Sequence, residues 1–435
     1  PAGGEATMRI RASFALGALA WGLAATAMAQ PKTLKKMAIP ADTSPDVRAQ
    51  IERLSDKDPA ARADAVMKLG GLGPKAAAAL PFLVETARDE TKVPINGESQ
   101  SINAIVSESL KEIDGPGSVP LLIRLLDEKD GRNGALTVLG VVGDARATPR
   151  VLRVLGENDG QGRFWAVFAL KHIKDPASID GLAAALKDTS TLGAIKVAKL
   201  VHESIAEALG EIGDARVVPP LAEYIRTGKF ASARLGSAQA LGVAKRPEGV
   251  EPLLALLKEP TAYGTVADGV PVFHAAAAES LGLIKDPRAV DPLLVCLKEC
   301  KEDKVRAEAA RALGRIGDKR AFDALHAVLR DTAQPSFPRL GAAVGIEALE
   351  DPRAIETMIA ALDDKELAKV AGRYLKSTTG QDLGTDGAAW RKWWEEDKRK
   401  KAAPRAQPAA LTSSAAVKKP APRKPVTKPS PAGPR

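Results

Sequence analysis

The chain has four histidines, His172, His202, His274 and His326, and two cysteines, Cys296 and Cys300. These residue types supply transition-metal ligands and the nucleophiles and acid–base groups that work near neutral pH. Their spacing supports little of that chemistry. Only His202 is followed by a carboxylate, Glu203, and one His-Glu pair cannot supply a di-iron centre, which takes several carboxylates and imidazoles. The other three histidines have no adjacent carboxylate. Cys296 and Cys300 lie on one helix face by spacing; packed thiols are the expected state, with a strained disulfide the alternative in an oxidising compartment. No Ser/His/Asp arrangement, Gly-rich phosphate loop, His-Glu-x-x-His stretch or haem-attachment stretch appears. The sequence therefore predicts no catalytic residue, no metal site and no cofactor.

Binding chemistry is better represented. Trp390, Trp393 and Trp394 share a helix face by spacing, with Asp386 ahead of them as an N-cap candidate. Tyr263 sits in a long polar stretch and is a candidate contact residue. Paired charges recur as Asp144/Arg146, Asp214/Arg216, Asp286/Arg288, Asp318/Arg320 and Asp351/Arg353. A ladder of such pairs could bind ions, but the expected role is structural: Asp capping exposed helix N–H groups and Arg bridging to a neighbouring turn.

These pairs are the visible part of a repeat. GDARATPRVL at Gly143, KDPASIDGLA at Lys174, GDARVVPPLA at Gly213, KDPRAVDPLL at Lys285, GDKRAFDAL at Gly317 and EDPRAIETMI at Glu350 are loose copies of one another. Arg246 takes the aspartate's slot in AKRPEGVEPLL. The slot advances in steps of 31, 39, 32, 40, 32 and 33 residues, a period that identifies a stacked repeat array. Within Val305 to Asp331, Val305, Ala309, Ala312, Leu313 and Ile316 follow helical spacing, and Gly317 ends that helix. After Asp318, Phe322, Leu325, Val328 and Leu329 mark a second helix. Alanine crowds the first helix, at Ala275 to Ala278 and at Ala307, Ala309, Ala310 and Ala312, so neighbouring units can approach closely. One hairpin cannot bury its stripe alone, so the units must stack.

The longer steps locate insertions at Lys187–Val197 and Lys258–Val272, with further excess at Arg88–Ser101 and Asp331–Phe337. All four follow a second helix and precede the next first helix, which puts them on one edge of the array. Insertions on one face often form the binding face.

Both ends depart from the repeat. Met8, Arg9 and Arg11, then the apolar run Phe14–Ala27 and Ala27-Met28-Ala29 read as a secretory signal peptide cleaved after Ala29. Pro1–Thr7 falls upstream of that start. The run is shorter than the ~20 residues of a membrane span, so export to the periplasm or medium is expected, with no span left after cleavage. From Lys398 onward there are eleven Lys or Arg and no acid, which leaves 52 basic and 54 acidic side chains in the rest of the chain. The net charge of +9 thus belongs to the tail, and a nucleic-acid-binding array is disfavoured. Residues 401–435, rich in Ala, Pro, Lys and Arg, are expected to be a disordered cationic tail, either a solvated spacer or one whose partners are anionic: lipid head groups, acidic envelope polymers or nucleic acid.

The period, the Ala-Leu-Gly-x-Ile-Gly-Asp ending of the first helix and the Asp-x-Arg-Ala turn resemble the HEAT family, most of all the PBS-lyase HEAT-like repeat of bacteria. The resemblance covers residues 45–378 and implies an all-α superhelix of about ten stacked hairpins. Residues 30–44 then form a linker. Residues 379–400 resemble the Thr-Gly-x-Asp…Trp-x-x-Trp-Trp ending of other exported HEAT-like proteins and imply a capping helix. Two enzymatic branches use the repeat. The deoxyhypusine hydroxylases carry several His-Glu pairs, of which only His202-Glu203 is matched here. The bilin lyases act inside the cell, against the export signal. The expectation is a non-catalytic envelope scaffold that binds another protein through its inner helices and insertion edge, with a lyase or hydroxylase as the alternative.

Overall fold

A computed structural model describes residues 37–157, 159–188, 195–259 and 272–402. They form two compact units, one ending at Thr385 and one beginning at Asp386. The stretch read as a signal peptide, Tyr263 and the tail beyond residue 402 lie outside the described residues, as do parts of the two longest insertions.

The first unit alternates longer and shorter helices along the sequence, and they stack as hairpins. A helix at Pro45–Arg53 leads in. First helices follow at Pro59–Leu72, Arg132–Val142, Gly160–Ile173, Ile195–Ile212, Ala231–Ala244, Val272–Ile284, Asp303–Ile316 and Ser336–Ala348. Each is followed by a shorter second helix, for example Thr148–Leu155 after the second of these and Phe322–Arg330 after the seventh. The helix Ile102–Leu125 is itself such a pair, broken where Asp114 leaves helical geometry at φ −168°. The last repeat closes with Ala354–Ala361 and Ala368–Thr379.

The hairpins from Arg132 onward turn in the same way. The residue after the first helix takes left-handed geometry, at Gly143 (φ 71°), Gly213 (φ 67°) and Gly317 (φ 84°), where glycine carries no steric penalty. Lys174, Lys245, Lys285 and Glu350 adopt the same geometry in the other copies. A one-turn 3₁₀ segment follows, such as Lys319–Ala321, and leads into the second helix. Proline begins it at Pro176, Pro247 and Pro287, where no helical N–H is lost.

First helices pack directly on first helices. Val305, Ala307, Ala309, Ala310, Ala312 and Leu313 are all fully buried. Small residues set the spacing: a Cβ added to Gly282 would fall 2.7 Å from Ala312 Cα, one added to Gly242 2.7 Å from Ser280 Cα, and one added to Gly210 2.8 Å from Ala240 Cα. Backbone meets backbone at these points, so no side chain can yield to make room. Leucines such as Leu136, Leu139, Leu170, Leu209 and Leu325 fill the space between the two helix rows, each contributing ~1.5–3 kcal/mol by leaving water.

Two departures from the sequence reading concern the insertions and the cysteines. Arg88–Ser101 is not an irregular loop: Lys92–Ile95 pairs antiparallel with Glu98–Ser101, turned by Asn96 (φ 51°) and Gly97 (φ 82°), the two-residue turn that Asn-Gly favours. Cys296 and Cys300 are bonded to each other rather than packed as thiols. The helix stops at Glu299, and Cys300 is extended (ψ 130°), which brings the Cα atoms to 4.9 Å. That separation suits a disulfide.

Gly282→Val should destabilise the array by ~1–3 kcal/mol through overpacking, read as a lowered denaturant midpoint. Gly236→Ala is the control: its added Cβ meets only Ala206 Cβ at 3.8 Å, and helix propensity predicts a gain of ~0.5–1 kcal/mol.

Candidate functional site

Two ladders of polar side chains run along the repeat array, one at each end of the hairpins. At the turns, Asp144, Asp175, Asp214, Asp286, Asp318 and Asp351 each accept a hydrogen bond from the backbone N–H two residues on, at 2.9–3.0 Å. The arginine at that second position folds back onto its aspartate and reaches the preceding turn. Arg146 donates to Pro116 O at 2.7 Å, Arg288 to Pro247 O at 2.7 Å and Arg216 to Pro176 O at 3.3 Å. Arg320 pairs instead with Asp291 at 3.4 Å, and Arg353 with Asp323 at 2.9 Å. Arg353 also lies over the Phe322 ring at 3.9 Å. Arg246, in the aspartate slot, caps nothing but donates its Nε to Gly213 O. Ala177 stands where arginine stands elsewhere, so the turn at Asp175 has no such link to the turn at Asp144.

Bonding to arginine sets the protonation of these turns. The Arg353 guanidinium holds Asp351 at about 2, and Arg216 holds Asp214 at about 2. Asp144, Asp286 and Asp318 are lowered for the same reason. All five aspartates are committed to the scaffold and offer no free carboxylate to an ion.

The second ladder was not anticipated from sequence. Twelve residues before each turn slot, near the start of the first helix, stands Arg132, Arg163, His202, Arg234, His274, Arg306 or Arg339. Arg132, Arg163 and Arg339 are buried. Arg132 donates to Leu126 O at 3.0 Å and pairs with Glu157 at 2.5 Å. Arg163 pairs with Asp188 at 2.9 Å, and Arg339 with Leu329 O and Asp364. In each case the acid lies 25 residues on, just past the next second helix. Arg62 and Asp89 make the same closure at 2.8 Å. In the hairpin starting at Ile102, whose slot is apolar, Arg88 substitutes, bonding Glu85, Glu128 and Asp130 at 2.6–2.8 Å. Arg132 and Arg339 tie the carbonyl end of one second helix to the acid past the next, where helix dipoles favour a cation.

In other copies Arg234 bonds Ile225 O, His274 lies by Glu259 O and Arg306 pairs with Asp303. Of the seven repeats with such a slot, only the one holding His202 lacks an acid 25 residues on. Its cation slot is an imidazole and its acid position is Thr227. His202 is buried, its Nδ1 2.7 Å from Ala198 O, with its ring stacked on Tyr224 at 5.7 Å and edge-on to Phe230 at 5.1 Å. Burial pushes the Tyr224 phenol up to about 12. Beside this cluster lies a pocket of about 200 Å³ lined by Leu186, Pro220 and Tyr224, with Lys187, Glu223 and Lys229 at its polar side.

The other histidines are dispersed. His274 Nε2 is 2.8 Å from Glu259 O, His172 Nδ1 2.8 Å from Phe168 O, and His326 lies against Phe322. Burial lowers His172 and His326. A di-iron or other metal centre does not fit these residues: His202 is engaged by a carbonyl and two rings, and among the described residues no three His, Cys, Asp or Glu side chains converge as a metal-binding group.

Exposed apolar side chains follow the first-helix register. On Gly160–Ile173, Trp165, Phe168 and His172 form a half-buried row, with rings 5.5 Å and 4.3 Å apart. Met67 and Val243, 42% and 49% exposed, occupy the registers of Phe168 and His172 in their own repeats. Next to the row, Lys171 bonds Glu207 at 2.7 Å and Lys174 bonds Glu211 at 2.8 Å. Phe337, 56% exposed, projects from the insertion edge. Trp165 was missed in the sequence because a lone tryptophan in a repeat reads as core; its i, i+3, i+7 spacing with Phe168 and His172 was the available signal.

In the second unit, the helix Gly387–Ala402 begins at Asp386, whose carboxylate accepts from Ala388 and Ala389 N–H. Trp390 is fully buried, whereas Trp393 and Trp394 are half-buried. Trp390 and Trp393 meet edge to face at 5.6 Å. Trp390 therefore presents no surface to a partner.

Comparison with known proteins places these features in context. Models of HEAT repeats match residues 226–313, 265–343 and 291–376, and a model of the PBS lyase HEAT-like repeat matches residues 162–188 and 201–227. Deoxyhypusine hydroxylase of Mus musculus is 34% identical over 100 residues, which span 23% of this chain and 29% of that protein. Among solved structures, the CpcE–CpcF complex of phycocyanin lyase from a Nostoc species is 18% identical, covering 76% of this chain and 99% of that one, with a TM-score of 0.25. A complex of Kap95p with RanGDP is 13% identical, covering 82% and 56%, with a TM-score of 0.44.

Two outcomes test the ladders. Arg339→Leu should cost on the order of 2–3 kcal/mol in urea unfolding, because it strands Asp364 and the Leu329 carbonyl. The turn carboxylates are depressed in the folded state, so their contribution is present above the ordinary aspartate pKa of ~3.9 and lost as pH falls through about 2. Asp351→Asn should flatten the loss of stability between those limits in an acid-unfolding series.

Proposed function

Because this chain is a HEAT-like repeat protein, we propose that it serves as a non-catalytic scaffold that binds another protein through its first-helix face and insertion edge. The observation that carries this reading is the half-exposed row of Trp165, Phe168 and His172, continued in register by Met67 and Val243. Aromatic side chains on a rigid helix face are the usual anchors of protein interfaces. Phe337 supplies an exposed apolar residue on the insertion edge. The reading is non-catalytic because the one His-Glu pair is spent on packing, His202 against Tyr224 and Phe230. We further propose the cell envelope as its site of action, supported by the Met8–Ala29 leader, with the acid-free basic tail giving salt-sensitive attachment to an anionic surface.

Immobilised full-length chain should retain one specific protein from an envelope extract at physiological salt. Trp165→Ala with Phe168→Ala should lower the retained amount by about tenfold while leaving the melting transition cooperative. Retention undiminished by the double substitution refutes the first-helix face as the binding surface.

A further inference from the structure

The pocket beside His202 lies in the copy of the repeat whose slot pair departs most from the arginine–acid pattern. In three copies a buried arginine and an acid 25 residues on close the gap between successive second helices, Arg132–Glu157, Arg163–Asp188 and Arg339–Asp364. Every other of the seven copies but this one keeps an acid at that spacing. Here the slot holds His202 and the acid position holds Thr227, so that closure is not made. What stands in its place is an aromatic floor. Tyr224 is held flat by the His202 ring behind it and by Gly228 above, where an added Cβ would fall 2.5 Å from Tyr224 Cδ1. Pro220 and Leu186 complete an apolar wall.

Size and charge define the occupant. At about 200 Å³ the pocket is smaller than the ~300–1,000 Å³ of sites that enclose a drug-sized ligand; it suits a single large side chain. Its polar side holds two lysines and one glutamate. Lys187 and Glu223 neutralise each other at 2.7 Å, and Lys229, which lies over the Phe230 ring at 5.7 Å, has no acidic partner among the described residues. The rim is therefore cationic, around an apolar, aromatic-floored socket. It opens where the second helices Ile179–Lys187 and Val218–Thr227 end, the same side of the hairpins from which the insertions emerge.

We propose that this socket receives one aromatic side chain of a partner protein from an acidic segment, the ring seated among Leu186, Pro220 and Tyr224 and neighbouring carboxylates facing Lys229. The inference rests on the protein-binding reading above and names one contact point within it.

The test uses full-length chain and a fluorescein-labelled peptide of sequence Asp-Glu-Phe-Glu-Asp, followed by fluorescence anisotropy. Saturable binding is expected, weakened at least about tenfold by Lys229→Glu or by Thr227→Trp, which fills the socket from an exposed position. The same peptide with Ala for Phe, and a Lys-Lys-Phe-Lys-Lys peptide, should bind at least about tenfold more weakly. Equal binding of the basic peptide, indifference to Thr227→Trp in a chain with an unchanged melting transition, or no saturation at millimolar peptide overturns the socket. If the peptide fails while the Trp165- and Phe168-dependent retention of a partner persists, the socket alone is wrong. If that retention also fails, the scaffold reading falls with it.

Discussion

The constraint on which the rest of the array depends is the contact of first helix with first helix through glycine, alanine and serine. Gly210 against Ala240, Gly242 against Ser280 and Gly282 against Ala312 fix the spacing of successive repeats at backbone contact. Once that spacing is fixed, everything else has a required length. The leucines between the helix rows must fill a gap of set width. The turn arginines must span one repeat to reach a carbonyl or carboxylate of the neighbour, and the buried arginines must bridge from one second-helix end to the next. Larger residues on the first helices would open the spacing and break both ladders together.

The two ladders divide the work of orienting the hairpins. The turn ladder is largely exposed, with arginine side chains about half accessible, so water and salt weaken its ion pairs. Its directional strength comes from the aspartate caps, which are geometric. The other ladder is buried, and its guanidiniums, with several donors each, satisfy carbonyls that helix ends leave without partners. In Arg88, burial is the largest influence and opposes the charge, yet Glu85 and Glu128 outweigh it and its pKa rises. Arg88 bonds three acids, and Arg132 and Arg339 each bond an acid and a carbonyl, whereas Arg163 has Asp188 and a buried Nε without a hydrogen bond.

Local chemistry that repeats was legible in the sequence. The helix–turn–helix unit, the alanine-rich first helix and the aspartate turn each follow from side chains a few residues apart. What escaped was chemistry that spans two repeats. Arg132 and Glu157 are 25 residues apart, and the acid sits just past a helix end, where neither periodicity nor propensity marks it. His202 and His274 looked like isolated imidazoles because the arginine slot they occupy had not been recognised. Cys296 and Cys300 were read as one helix face, which assumes the helix runs through both; it stops at Glu299, and the extended Cys300 turns a four-residue spacing into a bond. The strand pair at Lys92–Ser101 was announced by Asn96-Gly97, a signal overlooked inside what the period marked as an insertion.

The missing arginine at Ala177 has a mechanical meaning. A row of units joined only to their neighbours behaves as springs in series, and a deforming load concentrates in the most compliant joint. Along the turn side, the joint between the Asp144 and Asp175 turns lacks the tether that its neighbours carry, while Arg163–Asp188 still pins the opposite end of the following hairpin. Flexure there would open the turns and leave the buried end closed, a hinge with a defined axis. The helix at that joint, Gly160–Ile173, is the one that carries Trp165 and Phe168, so the aromatic row sits beside the joint that lacks an arginine at its turn.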